Sequence, residues 1–159
     1  MKRIMIYNLA VFLLLFVSSC EPKEEKICDK FAQGITNEEV LISTKWKFES
    51  FGYTVNGNSI KKKEKIDNGY IIFHEPGLFS FSYRNRYGGN YIVDKNKLTF
   101  ISRNMRTDLG CTKKEKEMEE WIEMCVFSSI CYKIDKEKLY IHTKEVKNCN
   151  VLILKKESQ

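Results

Sequence analysis

The side chains able to do covalent chemistry in this chain are six cysteines and two histidines. Cys20 comes first, closing Val17-Ser18-Ser19-Cys20. Small residues before a cysteine, behind an apolar stretch, make the pattern of a bacterial lipobox. There the leader is cut just before the cysteine, whose thiol receives diacylglycerol. The other reading is an ordinary secretory signal with a chance cysteine. Cys28, Cys111, Cys125, Cys131 and Cys149 remain, in an envelope compartment where disulfides persist. Their number is odd, so at least one stays free or pairs with another chain. The expected bridges are Cys111–Cys149 and Cys125–Cys131, with a buried Cys125 thiol as the alternative. No C-x-x-C spacing occurs, which argues against zinc or thioredoxin-like redox chemistry.

His74 and His142 each fall in a strand pattern whose facing the sequence leaves open. No nucleophile elbow or zincin spacing accompanies them. No glycine-rich phosphate loop is present. Glu117, Glu119 and Glu120 interleave with Lys113, Lys114 and Lys116, which reads as a solvated helix face and not as paired catalytic carboxylates. The expectation is therefore a protein without enzymatic activity, with no catalytic residue, cofactor or metal ligand to assign.

The elements that position these residues follow from local pattern. Lys2-Arg3 and the apolar run Ile4 to Val17 read as the first parts of a signal peptide over residues 1–19, too short for a confident membrane span. Residues 20–40 read as a lipidated cysteine and a charged tether, beginning Glu21-Pro22-Lys23-Glu24-Glu25-Lys26. Glu21 is not the aspartate that retains lipoproteins in the inner membrane, which favours the outer membrane, on the periplasmic side or at the cell surface. Lys23-Glu24-Glu25 resembles the Lys-acidic-acidic signal for surface export, and a plain solvated tether would look the same. Of the formal charge of +6, Lys2 and Arg3 supply two, and the remaining +4 is too evenly mixed to argue for nucleic acid.

Within residues 41–156 the chain reads as one domain. Thr36-Asn37-Glu38-Glu39 predicts a short helical turn reaching Ile42. Trp46, Phe48 and Ser50, then Phe51 and Tyr53, predict a strand whose alternation slips at a bulge near Ser50. Asn56-Gly57 predicts a hairpin turn. Lys61-Lys62-Lys63-Glu64-Lys65 reads as an exposed loop or as a basic contact patch for anionic glycan or lipid. Tyr70–His74 and Phe79, Phe81 and Tyr83 predict two strands around Pro76-Gly77. Thr112-x-x-Glu115 predicts a capping box, and Met118, Trp121, Ile122 and Cys125 at i, i+3, i+4, i+7 predict a helix over Lys113–Phe127. Ile130–Ile134, Leu139–Thr143 and Asn150–Leu154 predict the closing strands.

Asn85 to Cys111 is the organising stretch. Tyr91 and Val93, then Leu98 and Phe100, alternate on either side of Asp94-Lys95-Asn96-Lys97, which predicts a hairpin. Gly88-Gly89 supplies φ > 0 or a close backbone approach. Asn85-x-Tyr87-Gly88-Gly89-x-Tyr91, a strand pair, Thr107-x-x-Gly110-Cys111 and then a helix together resemble the META (HslJ-like) domain, over about Leu41 to Lys155. Many members place Gly-Cys before the asparagine; Tyr83-Arg84 stand here, so a disulfide through that cysteine cannot form. The matched residues Asn85, Tyr87, Gly89, Tyr91, Thr107 and Cys111 are positions of turn and packing, and the resemblance brings no catalytic residue.

The expected architecture is α+β: a strongly curved antiparallel sheet or partly closed barrel of about eight short strands packed on one main helix. The resemblance implies a similar arrangement and an association with heat shock and envelope stress. The expected function is a lipid-anchored envelope protein, attached to the membrane through Cys20, that binds another macromolecule, an envelope protein or a glycan. The alternative is a lipocalin-like carrier of a small apolar ligand, in which Tyr70, Phe79, Phe81, Tyr83, Tyr87 and Tyr91 line a cavity instead of filling the core.

Overall fold

A computed structural model describes residues 23–31, 38–42, 44–56, 59–75, 77–107 and 109–157. Residues 1–22, where a signal peptide and the Cys20 lipobox are expected, and Thr36, Asn37, Gly57 and Pro76 lie outside the described residues. Among the described residues three helices, α1 (Lys23–Phe31), α2 (Glu38–Leu41) and α3 (Lys113–Phe127), accompany nine strands. These are β1 (Lys45–Val55), β2 (Ser59–Lys65), β3 (Tyr70–His74), β4 (Leu78–Ser82), β5 (Arg86–Asp94), β6 (Lys97–Arg106), β7 (Ser129–Asp135), β8 (Lys138–Val146) and β9 (Cys149–Lys156). All the strand pairs are antiparallel, and β1 pairs with β9 as well as with β2 and β3. Strand β1 thereby closes a ring of eight strands, with β2 outside it. The expected curved sheet is a closed barrel with one main helix.

Strand β1 can serve three partners because it is long and bulged. Lys45–Lys47 pair with β3, Ser50–Val55 pair with β2, and the opposite edge pairs with β9. Its register slips between Phe48 and Ser50 against β9, where the alternation in the sequence breaks. The extra residue bends the strand and lets both Ser50 and Phe51 be buried. The Asp94–Lys97 turn places Lys95 at φ 55°, and the Lys147–Asn148 turn has both residues at positive φ, as a two-residue hairpin of matching twist requires.

Gly89 shows which of its two uses the fold needs. It does not take positive φ; a Cβ there would collide with the Ser102 carbonyl oxygen. The β5–β6 register shifts on both sides of Asn90, so the pair of bulges draws the two backbones together at this glycine.

Helix α3 starts at the expected capping box. Thr112 Oγ1 accepts from Glu115 N, and Glu115 accepts from Thr112 N at 2.9 Å. Its Trp121, Ile122, Cys125 and Val126 join the barrel core, with Trp121 stacked on Phe51 at 4.1 Å between ring centroids. Strands β6 and β7, which flank α3 in the chain, share a single paired position, Lys97 with Cys131. Ser129 Oγ donating to Leu98 O and Tyr132 N donating to Asn96 O reinforce this seam.

Two regions differ from expectation. Residues 23–31, read as part of a tether, form α1, whose Cys28 and Phe31 are buried on the outer wall with Cys131, Val151 and Ile153. Three apolar residues in the last turn and a half are too few to show a period in sequence. Lys61–Lys65, read as a loop, lie in β2 and pair with β1 in register. Lysines suit that place because β2 is the strand with an unpaired edge, where charge discourages pairing with other chains.

Candidate functional site

Two of the motif residues, Asn85 and Thr107, meet at a node between the β4–β5 turn and α3. Glu119 lies on the side of α3 read as solvated, yet it is 2% exposed. Its Oε1 accepts from Asn85 N at 2.6 Å and from Arg84 N at 3.2 Å, and its Oε2 accepts from Asn85 Nδ2 at 2.7 Å. These bonds satisfy a carboxylate that would otherwise be too costly to bury. Asn85 Oδ1 in turn accepts from Leu109 N at 2.7 Å, and Thr107 Oγ1 accepts from Arg86 N at 2.9 Å. The asparagine and threonine thus tie the start of β5 to the end of β6, and the glutamate ties both to α3. Sequence reading missed Glu119 because its neighbours in the helix alternate in charge. The signal that could have found it is its place two positions before Trp121, beside the buried stripe.

Tyr87 stacks on Phe81 at 4.4 Å, and Tyr91 meets Phe73 edge-on at 5.1 Å. Phe79 and Phe100 continue the contact at 4.7 Å. These rings pack against one another inside the barrel, whereas Tyr70 and Tyr83 are only half-buried. Gly89 provides the close approach described above. Cys111 is half-exposed ahead of α3.

The cysteines pair otherwise than expected. The disulfide joins Cys28 to Cys131, with Cα atoms 5.7 Å apart, and Cys111, Cys125 and Cys149 are free thiols. The expected Cys125–Cys131 bridge fails because the two residues belong to different cores: Cys125 lies with the interior cluster, Cys131 with the outer-wall cluster. Cys111–Cys149 fails as well, Cys149 being buried in the interior cluster and Cys111 standing at the surface before α3. The alternative of a buried Cys125 thiol is the one observed, and burial pushes its pKa up to about 12, away from reactivity.

The histidines lie apart in character. His74 is exposed, with Nε2 at 2.9 Å from Ser80 Oγ. His142 is 6% exposed, packs edge-on against Phe31 at 5.0 Å, and has its pKa lowered by burial to about 4. No His, Cys, Asp or Glu group suited to a metal occurs among the described residues. No described helix is long and apolar enough to cross a membrane.

Among the described residues a polar concavity of about 290 Å³ lies between β2, Tyr83 and the start of α3, and two others bear on binding. One, of about 540 Å³, runs between α3 and β6 and is lined by Ile101, Ser102, Glu120, Glu123, Met124 and Phe127. Its walls expose large apolar groups, Ile101 at 57% and Met124 at 44%. Ile101 projects there because the β5–β6 register shift at Asn90–Tyr91 leaves it without a partner in the ladder. The other, of about 260 Å³, lies under α1.

No family model and no curated protein matches the chain. Solved structures do. One, determined by NMR, is 19% identical at a TM-score of 0.56, covering 76% of this chain and 95% of the other. An NMR structure of a protein from Burkholderia xenovorans is 17% identical at 0.55, covering 76% and 86%. The crystal structure of a DUF4847 family protein from Bacteroides vulgatus is 18% identical at 0.55, covering 77% and 98%. The likeness is one of fold. At such identities it carries no ligand or activity with it.

Proposed function

We propose that this chain is a lipid-anchored bacterial envelope protein with a META-type (HslJ-like) barrel, which binds a segment of another envelope protein and catalyses no reaction. The observation that carries this reading is the groove between α3 and β6. Ile101 and Met124 offer apolar surface there, and Glu120 and Glu123 add negative charge. An apolar segment bearing lysine or arginine complements both features. A photo-crosslinker at Met124, in intact cells, is expected to capture such a segment, identified by mapping the crosslinked peptide. Ile101→Asp is expected to abolish the product. Identical products from a crosslinker at exposed Glu145 would overturn the reading.

Attachment through a diacylglyceryl group on Cys20 of an outer-membrane protein belongs to the same proposal, as does a role in envelope stress. Mass spectrometry of the N-terminal peptide reads the lipid directly, and Cys20→Ser is expected to release the protein from membranes. Protease added to intact cells separates surface exposure, where the barrel is cut, from a periplasmic face, where it survives.

A carrier of a small apolar ligand is the second reading. It is favoured by the eight-stranded closed ring, a size that holds either packed side chains or one small ligand. A ligand inside would have to displace the stacked rings of Phe51, Trp121, Phe81 and Tyr87. Native mass spectrometry of protein released from its own envelope distinguishes the readings. A bound mass of a few hundred daltons, lost on denaturation, supports the carrier; the bare chain mass supports the groove.

A further inference from the structure

We infer that the partner segment in the groove between α3 and β6 is bound as an extended strand, hydrogen-bonded to the free edge of β6. The inference rests on the groove reading above and adds the form in which the partner binds.

The two edges of β6 have different fates. Along one it pairs with β5 from Lys97 to Arg106. Along the other its single paired position is Lys97 with Cys131 of β7. The two strands are antiparallel, so each step forward along β6 is a step back along β7. By that count Ser129, the first residue of β7, falls opposite Thr99. From Phe100 onward β6 runs past the end of β7 and faces α3 instead. A helix bonds its backbone internally and cannot continue the ladder.

The β5–β6 hairpin fixes which groups point into the gap. Asp94 and Lys97 close the two-residue turn as a hydrogen-bonded pair. Leu98 and, two residues on, Phe100 therefore turn N–H and C=O away from β5. Contacts on the β7 side agree, because Asn96 O accepts from Tyr132 N and Leu98 O accepts from Ser129 Oγ. Phe100 is the first of this set to lie beyond β7. Among the described residues, no backbone hydrogen bond reaches this edge of β6 between Phe100 and Arg106. Phe100 is only 6% exposed, which raises the cost of leaving its N–H and C=O unpaired.

The opposite wall suits a strand as well. Glu120, Glu123, Met124 and Phe127 recur at i, i+3, i+4, i+7 and present one face of α3 to the groove of about 540 Å³. A strand laid there continues the ladder on one side and rests side chains on the helix face on the other. The edge from Phe100 to Arg106 is about 20 Å long, the span of an ordinary strand. A bound helix would leave the edge without partners. The complementarity is one of backbone partial charges, N–H to C=O, and asks no particular charge of the partner's side chains.

The test uses the full chain, isotope-labelled, with a capped octapeptide of alternating threonine and valine between terminal lysines as the probe. Two versions of the probe carry two N-methyl groups each. Successive N–H groups of a strand point to opposite edges, so methyl groups on neighbouring residues block both edges, and methyl groups two residues apart block one. The parent probe is expected to bind saturably and to slow exchange of the Phe100 amide at least tenfold. Methylation two residues apart is expected to leave affinity within about threefold, because the strand can present its other edge, and neighbouring methylation to weaken it at least tenfold. No saturable binding, equal weakening by both methylated probes, or unchanged exchange at Phe100 would each overturn the inference. Capture at Met124 in cells, with any of those results, leaves the groove as a binding site and removes only the strand form of its partner. Absence of specific capture at Met124 overturns the groove reading itself.

Discussion

The barrel interior and the patch beneath α1 are two apolar cores held by different means. The interior contains Trp46, Phe51, Phe73, Phe81 and Trp121, in a ring of strands that closes on itself. The outer patch contains Cys28, Phe31, Cys131, Val151 and Ile153, under a helix of nine residues. A helix this short is marginal alone. Few apolar side chains beyond Phe31 pack it against the wall. The disulfide, joining positions 103 residues apart, adds a covalent tie at the outer patch. A covalent link thus appears where packing is too small to hold an element, and is absent where the core suffices.

This contrast can be broken most forcefully from the inside. Trp121→Ala removes the ring stacked on Phe51 and is expected to destabilise the whole barrel by about 3–5 kcal/mol in urea denaturation. Glu119→Ala leaves Asn85 N and Asn85 Nδ2 buried without their acceptor, and a global loss of about 3 kcal/mol is expected. Glu119→Gln should recover only part of it. Its amide would set a donor against Asn85 Nδ2, which cannot turn over because Asn85 Oδ1 accepts from Leu109 N.

Outer-wall changes should act locally. Cys28→Ser with Cys131→Ser is expected to expose α1 to hydrogen exchange while the amides of β1, β8 and β9 stay protected, at a cost of about 2 kcal/mol to α1 docking. Loss of protection throughout the barrel would erase the distinction between the two cores. Docking of α1 also depends on pH. His142 binds its proton with a pKa of about 4 when enclosed, below the ordinary 6.5. Between those values the opened form takes up a proton that the closed form refuses. Docking is therefore complete above pH 6.5 and weakens as pH falls toward 4, by up to about 3 kcal/mol. Exchange of the α1 amides should follow that slope, and His142→Leu should flatten it relative to the parent protein.

The sequence carried the interior and its hairpins with little ambiguity. Alternation located the strands, the slip near Ser50 marked the bulge of β1, and Thr112 with Glu115 marked the start of α3. These signals are local because a strand repeats every two residues and a helix cap is complete within four. Asn85 and Thr107 stood out in the sequence, but the acceptor that makes sense of Asn85, Glu119, did not. Its burial depends on backbone N–H groups about 34 residues earlier in the chain.

The outer wall was the least legible part. Cys28 and Cys131 are unremarkable in spacing, and nothing near either names the other. Lys61–Lys65 look like a loop until β1 supplies the edge that makes them a strand. Which elements form the interior, and most of the residues they turn inward, follows from hydrophobic periodicity, since that is a property of short stretches. Ring closure, the bridge to α1, the buried glutamate and the concavities were decided by the fold alone. Each of them joins residues that only the closing of β1 onto β9, or the crossing of α3 between β6 and β7, brings within reach.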